Sequence, residues 1–344
     1  MPPVRPFRAL RYAETVAGPL EALVAPPYDV IDAEARLGYL RRSPHNVVHL
    51  TLPDSSAAAA ATLEEWRREG VLVEDEEPTL WWLAQDYVGP DGVARTREGL
   101  AGAIEAAPYG SGNVLPHELT HAGPKEDRLR LLRATRVELE PIFLLYDADP
   151  PVSRPAGEPV MDVTEGGVRT RVWASAATEL EIGAPLLIAD GHHRYETAVA
   201  FRREDPAATH TVAVLVSSRS PGVEIFPTHR LVRSLGAEPT LRQSAGWDRR
   251  GLALYRDGRY FRVDTDDELD ARAVARFAPE GVAYTPDADQ AVAAVDRGDA
   301  GAAFLVRAPT VDQVAAFAAR GETMPQKSTF FYPKLTSGLL FFPL

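Results

Sequence analysis

The stretch APLLIADGHHRYETAVAFRRED, residues 184–205, decides the reading of this chain. It opens with an apolar run ending at Ala189, the length of a buried strand. Asp190, Gly191, His192, His193 and Arg194 follow without a gap, and the residues after them keep helical spacing. Five polar or conformationally special residues therefore sit where a strand hands over to a helix. Glycine permits a tight turn at such a point. The helix behind it exposes its first backbone N–H groups, which with the helix dipole form an anion site. His192, His193 and Arg194 add donors, and an arginine can hold a phosphate through two parallel hydrogen bonds. Asp190 would repel a bare phosphate. It fits as a Mg²⁺ ligand or as the acceptor of an alcohol proton. The simpler alternative makes Asp190 a helix N-cap and the histidines satisfied surface groups. A cap alone does not call for His-His-Arg behind it.

Outward from the junction, the chain alternates strand and helix signals. Residues 55–70, SSAAAAATLEEWRREG, read as a helix capped near Ser55 or Ser56. Residues 78–88 and 93–105 read as two strands around the turn Gly89-Pro90-Asp91-Gly92. Residues 138–148, 166–175 and 210–218 read as further strands, the second followed by a short helix. LALYRDGRYFRV (252–263) reads as a hairpin with Asp257-Gly258 as its turn. Two helices with a short strand between them, the strand 301–308 and a helix ended by Gly321 complete the pattern. The fold class is α/β or α+β. All eight histidines precede residue 235, so a boundary is expected there, with domains 1–235 and 236–344. The final segment, MPQKSTFFYPKLTSGLLFFPL, is too aromatic for a loose tail and is expected to pack back on the body.

Composition removes several classes of function. The 344 residues include no cysteine, which excludes disulfides, thiolate metal sites, iron–sulfur clusters and cysteine nucleophiles. The net charge of −12 argues against nucleic acid as a partner, since that affinity rests largely on neutralising phosphates. No apolar run reaches a membrane span, and MPPVRPFRAL lacks the apolar segment of a signal peptide, so a soluble cytoplasmic protein is expected. The expected partner is a small molecule, phosphorylated or hydroxyl-bearing.

ADGHHRYETA resembles the phosphate-binding signature of the ParB/sulfiredoxin-like superfamily. The position of the sulfiredoxin cysteine is His192 here, which excludes that chemistry. Free-serine kinases of the superfamily carry a turn of this kind. Across the chain, VAPPYDVI (24–31), SPHNVVHLTLP (43–53), LPHELTHAGPKEDRLRLLRAT (115–135), DGHHRYETA (190–198), FPTHRLV (226–232) and MPQKSTFFYPKLTSGLLF (324–341) resemble successive blocks of a large bacterial family, domain-of-unknown-function family 1015. The resemblance implies a ParB/sulfiredoxin-like mixed-sheet core with an added C-terminal α/β part. It also implies a phosphate-binding turn, and its kinase relatives imply a reaction.

The other dense blocks supply further candidates. His117-Glu118-Leu119-Thr120-His121 has the spacing of a zinc-peptidase helix, but Gly123-Pro124 follows too closely for that helix. Glu118 remains a candidate general base or second Mg²⁺ ligand beside Asp190, and His117 a substrate contact. Pro124 can open the next helix, which places Lys125 and Arg128 at its start as phosphate contacts. Arg130, Arg133 and Arg136 read as a solvated face. Tyr28 and Asp29 follow two stiffening prolines; they either face a site as substrate contacts or form a rigid turn joining two strands. Val47-Val48-His49-Leu50 reads as a strand, with Ser43 or Asn46 capping or turning before it. Arg230 is a candidate second phosphate clamp, and Lys327 a candidate closing contact.

Three functions follow from these candidates. The first is a phosphotransferase acting on a small hydroxyl substrate, with free L-serine the resemblance's choice. The donor would be ATP, ADP or pyrophosphate with Mg²⁺, since no Walker motif or kinase glycine loop is present. Asp190, Glu118 and His193 would be catalytic, and Gly191, His192 and Arg194 would hold phosphate. The second is a phosphatase using the same cradle with water as acceptor. The third is a regulatory protein binding a nucleotide or phosphorylated metabolite without catalysis.

Overall fold

The structure is a computed structural model and describes residues 3–111, 113–118, 122–278 and 281–344. The chain divides into two compact units. The first comprises Met1–Pro116, Thr120–Val223 and Pro333–Leu344; the second comprises His117–Leu119 and Glu224–Tyr332. Both mix helices and sheet, so the chain is α/β in the broad sense.

The first unit is built on one mixed sheet. Its strands are β1 (Trp81–Val88), β2 (Ala94–Glu105), β3 (Val114–Leu115), β4 (Ile142–Tyr146), β5 (Met161–Glu165), β6 (Val168–Ala174), β7 (Leu186–Asp190) and β8 (His210–Ser217). They lie in the order β3-β7-β4-β8-β2-β1-β6-β5. The β7–β3 and β8–β4 pairs are parallel, and the other neighbours are antiparallel. β4 is buried along its whole length, as is β8 after His210. Continuous apolar strands of this kind are covered on both faces. The accompanying helices are α1 (Ser56–Arg68), α2 (Ala122–Thr135) and α3 (His192–Glu204). Ser55 caps α1 as expected, its hydroxyl accepting from Ala58 N at 3.1 Å. Leu80, Trp82, Leu144, Ile188, Tyr195 and Leu215 meet in the core. Tyr195 brings the first turn of α3 into that core, so the turn before it is held from both sides.

Two local expectations give way to tertiary structure. Residues Val48–Thr51 form a short helix, not a strand. The cause is the buried Asn46, whose Oδ1 accepts from Val48 N while its Nδ2 donates to the carbonyls of Ala22 and Val24. Side-chain hydrogen bonds of this sort compete with strand pairing and outweigh the β-branched valines. The helix expected after residue 175 is also not formed. Leu180–Glu181 instead pairs as a strand with Pro3–Val4, and Glu179 accepts from Arg5 at 2.7 Å.

The second unit holds an antiparallel sheet. Its strands are β9 (His229–Val232), β10 (Leu241–Ser244), β11 (Ala253–Arg256), β12 (Arg259–Val263), β13 (Val282–Thr285) and β14 (Ala302–Leu305), in the order β10-β12-β11-β14-β9-β13. Position 235 falls between β9 and β10 of this sheet. The β11–β12 turn has Asp257 at φ 51° and Gly258 at φ 71°, the two left-handed residues of a type I′ hairpin. Helices α4 (Asp270–Phe277), α5 (Ala288–Asp296) and α6 (Val311–Ala319) complete the unit. Leu254, Val274, Phe304 and Val306 form part of its core. The C-terminal segment Pro333–Leu344 belongs to the first unit, and its Leu335, Leu339, Leu340 and Phe341 are buried. Among the described residues no helix is long and apolar enough to cross a membrane.

Candidate functional site

The site grows from the end of β7. The pairing register of β7 with β4 shifts between Ile188 and Asp190. Such an irregularity re-aims the side chain that follows. Gly191 then takes φ 99° and ψ 27°, in the left-handed region. A Cβ there would lie 3.2 Å from Cζ and Nε of Arg194, so the hydrogen atom matters for space as well as for conformation. The helix α3 starts at once, and no side chain caps it. Asp190 is therefore not an N-cap. Its two oxygens go to two cations.

Asp190 Oδ2 accepts from Arg194 Nη2 at 2.6 Å, one helical turn on. Asp190 Oδ1 accepts from Lys334 Nζ at 2.5 Å, and the same ammonium donates to Asp29 Oδ2 at 2.8 Å. Arg194 also donates to the carbonyl of Pro141. Burial works to raise the pKa of Asp190, but the Lys334 ammonium and the Arg194 guanidinium outweigh it and hold the carboxyl well below the usual range. Burial works to lower the pKa of Lys334; Asp190 and Asp29 overcome it and keep the ammonium charged. The chain Asp29–Lys334–Asp190–Arg194 thus alternates two carboxylates with two cations, and Asp190 and Lys334 hold each other in their charged forms. Behind it, Glu140 accepts from Tyr28 N at 3.1 Å and from Ser337 Oγ at 2.6 Å. The Arg128 guanidinium lies 4.4 Å from the centre of the Tyr28 ring, and Arg128 Nη1 donates to the Thr51 carbonyl at 2.6 Å. Tyr28 and Asp29 lie in a single turn of 3₁₀-helix, Tyr28–Val30.

A cavity of about 60 Å³ adjoins this network, lined in part by Arg128, Glu138, Glu140, Arg194, Thr197 and Thr211. Glu138 accepts from Thr211 Oγ1 and Val212 N, both at 2.8 Å. Burial pushes its pKa up to about 7, against the pull of those hydrogen bonds and of Arg194. Burial also raises the pKa of Glu140. The hydroxyl of Thr197 is buried and has no partner among the described residues. The cavity has room for a few water molecules between two acids and two arginines.

The structure thus brings together Tyr28, Asp29, Arg128, Asp190, Gly191 and Arg194 in the first unit. His192 is buried at the start of α3. His193 follows it, half-buried. Lys125 pairs with Glu196 at 3.1 Å, on a groove of about 350 Å³ that also runs past Tyr109 and Tyr195. The remaining candidates belong to the second unit. His117 Nε2 is 2.9 Å from Thr329 Oγ1. Glu118 Oε1 accepts from Lys327 N at 3.5 Å, a long bond. Arg230 is buried in β9. His121 lies outside the described residues. Among those described, no three His, Asp or Glu side chains group to hold a metal. Lys334, Glu140 and Ser337 carry no local sequence signal that marks them as part of the site.

Residues 4–279 match the family of proteins of unknown function DUF1015, and the chain belongs to that family. Among solved structures, a free serine kinase mutant in complex with AMP is 16% identical with a TM-score of 0.44, over 67% of this chain and 87% of that one. A free serine kinase mutant in complex with ADP gives the same values. A conserved hypothetical protein from Pyrococcus furiosus is 15% identical with a TM-score of 0.40, over 67% of this chain and 90% of that one. A search of the curated proteins found no match.

Proposed function

We propose that the first unit is a phosphotransferase that moves a phosphoryl group from a nucleotide or pyrophosphate to the hydroxyl of a small substrate. Free L-serine is the first candidate, because ADGHHRYETA resembles the turn of free-serine kinases. The observation that carries the reading is the chain Asp29–Lys334–Asp190–Arg194 around an uncapped helix start. Phosphoryl transfer asks for positioned charge more than for covalent chemistry. The first-turn amides of α3, Arg194 and Lys334 offer donors to a phosphate. Asp190 holds both cations in place, with its two oxygens engaged.

Asp29 is the better proton acceptor. Its Oδ1 accepts no hydrogen bond among the described residues, and its side chain is 31% exposed against 18% for Asp190. The base expected at Asp190 or Glu118 is therefore assigned to Asp29. The substrate oxygen attacks phosphorus and its proton passes to Asp29. The P–O bond to the leaving phosphate breaks, and the leaving oxygen keeps the electron pair beside Arg194 and Lys334. A Mg²⁺ that enters with the donor would be held chiefly by the donor's own phosphates, because the Lys334 ammonium already bridges Asp29 and Asp190 and both Asp190 oxygens are engaged. Bound to those phosphates, the ion would neutralise their charge.

The test is phosphorus NMR of the full chain with Mg²⁺ and L-serine, offering ATP, ADP and pyrophosphate separately, beside a reaction started from phosphoserine. The expected result is phosphoserine from one donor, slowed about 100-fold or more in Asp29→Asn, the usual range for losing a general base. Phosphate released from phosphoserine without a donor would make the protein a phosphatase. Unchanged spectra with a nucleotide still bound would make it a sensor.

A further inference from the structure

The second unit contains a pocket of about 470 Å³, within the range of small-molecule sites, walled by Arg230, Leu269, Asp270, Arg307, Thr310 and Met324 among others. Every residue of it belongs to that unit. Arg307 and Asp270 neutralise each other: Arg307 Nη2 donates to Asp270 Oδ1 at 2.6 Å and Arg307 N to Asp270 Oδ2 at 2.7 Å. Thr310 and Gln313 are engaged in the capping box of α6. Glu268, at the rim, faces Arg320 at 3.6 Å.

Arg230 is different. It is 4% exposed, yet no carboxylate among the described residues pairs with it. Its Nη1 donates to the Thr228 carbonyl at 2.5 Å and its Nη2 to the Lys327 carbonyl at 3.3 Å. A guanidinium has five N–H groups, so most of its donors remain for another acceptor. The Tyr284 ring, 5.8 Å away, offers the positive charge partial relief. Burying an arginine without an anion is costly, and such a charge is ordinarily matched by a partner or a ligand. Burial accordingly pushes its pKa down, and the more distant Tyr284 and Asp270 offset that only in part.

We propose that this pocket is a second ligand site, in which Arg230 binds the carboxylate of a small organic acid whose apolar part lies on Leu269, Ala271 and Met324. A monoanion is favoured over a phosphate dianion because Arg230 is the one cation among the described lining residues that has no carboxylate as ion-pair partner. The site rests on residues of the second unit alone and stands whether or not the first unit transfers phosphate.

The test is calorimetric titration of the full chain with sodium propionate, and separately with inorganic phosphate, at constant ionic strength. Wild-type protein is expected to bind propionate saturably, and Arg230→Met to bind it about tenfold or more weakly, as for a lost charge-assisted hydrogen bond. Arg230→Lys keeps the charge without the fork and is expected to weaken binding similarly; it carries the comparison if Arg230→Met does not fold. Equal propionate binding in wild type and variants, or no saturable binding, overturns the proposal. Phosphate binding that depends on Arg230 while propionate does not bind overturns the carboxylate assignment.

Discussion

The turn after β7 and the pocket beside β9 both gather buried charge, but they settle it differently. At the turn, Asp29, Lys334, Asp190 and Arg194 neutralise one another in sequence. At the pocket, Arg307 is ion-paired with Asp270, while the hydrogen bonds of Arg230 go only to backbone carbonyls and no carboxylate among the described residues is within ion-pair distance. A self-neutralised network is stable without ligand, and a phosphate entering it must exchange partners with the carboxylates already present. An unpaired cation is instead a standing cost that a ligand removes. The first arrangement suits a reaction, where charge is redistributed during turnover; the second suits binding.

The contrast breaks or sharpens on stability measurements, beginning with the largest effect. Asp190→Ala leaves Lys334 and Arg194 buried beside each other without their shared anion. It is expected to cost about 3–5 kcal/mol in denaturant unfolding, the range for breaking a buried ion pair. A cost near zero would mean that the network is wet and loosely held.

Glu138→Gln tests the cavity behind the turn. The carboxyl titrates at about 7 in the folded protein against 4.5 for the free group. Below 4.5 both states hold the proton. Between the two values the folded protein keeps a proton that the unfolded chain has released, so stability falls as pH rises. Glutamine escapes that fall, and Glu138→Gln is expected to be more stable than wild type at pH 8 by up to about 3 kcal/mol, with the difference shrinking towards pH 4. Parallel wild-type and mutant stability curves would refute the buried acid.

His229 should give the opposite slope in the second unit. It is buried, its Nδ1 accepts from Val306 N at 3.2 Å, and burial pushes its pKa from 6.5 to about 4. Between those values the unfolded chain takes up a proton that folded His229 refuses, so stability is lost on acidification. His229→Gln is expected to lose about 2 kcal/mol less than wild type between pH 7 and pH 5. Smaller again, Arg230→Met without ligand is expected to leave stability unchanged or raise it by about 1 kcal/mol. A large loss would mean that the charge is already compensated.

The legibility of the site followed the distance along the chain. Asp190, Gly191 and Arg194 lie within one strand–turn–helix junction, so their chemistry could be read from neighbours. Lys334 stands 144 residues from Asp190, and no local pattern announces it. One signal was present: the chain has three lysines, Lys125, Lys327 and Lys334, among 37 basic residues. A sequence that uses arginine nearly everywhere has a reason for a compact ammonium where it keeps one. Glu140 was hidden differently, inside an apolar stretch that read as strand. The helix at Val48–Thr51 has no local signature, because Asn46 reads as a local cap whereas it bonds carbonyls more than twenty residues away. Periodic segments such as α1 and the β11–β12 hairpin were legible because cap and turn chemistry agree with their patterns.

The most direct test of the phosphate reading is calorimetric titration of Mg²⁺-ADP into wild-type protein and Lys334→Gln. Saturable binding in wild type, weakened about tenfold or more in the variant, is the predicted result for losing one charged donor to phosphate. Equal affinity in the two proteins would contradict it and leave the Asp29–Lys334–Asp190–Arg194 chain a structural lock for the C-terminal segment.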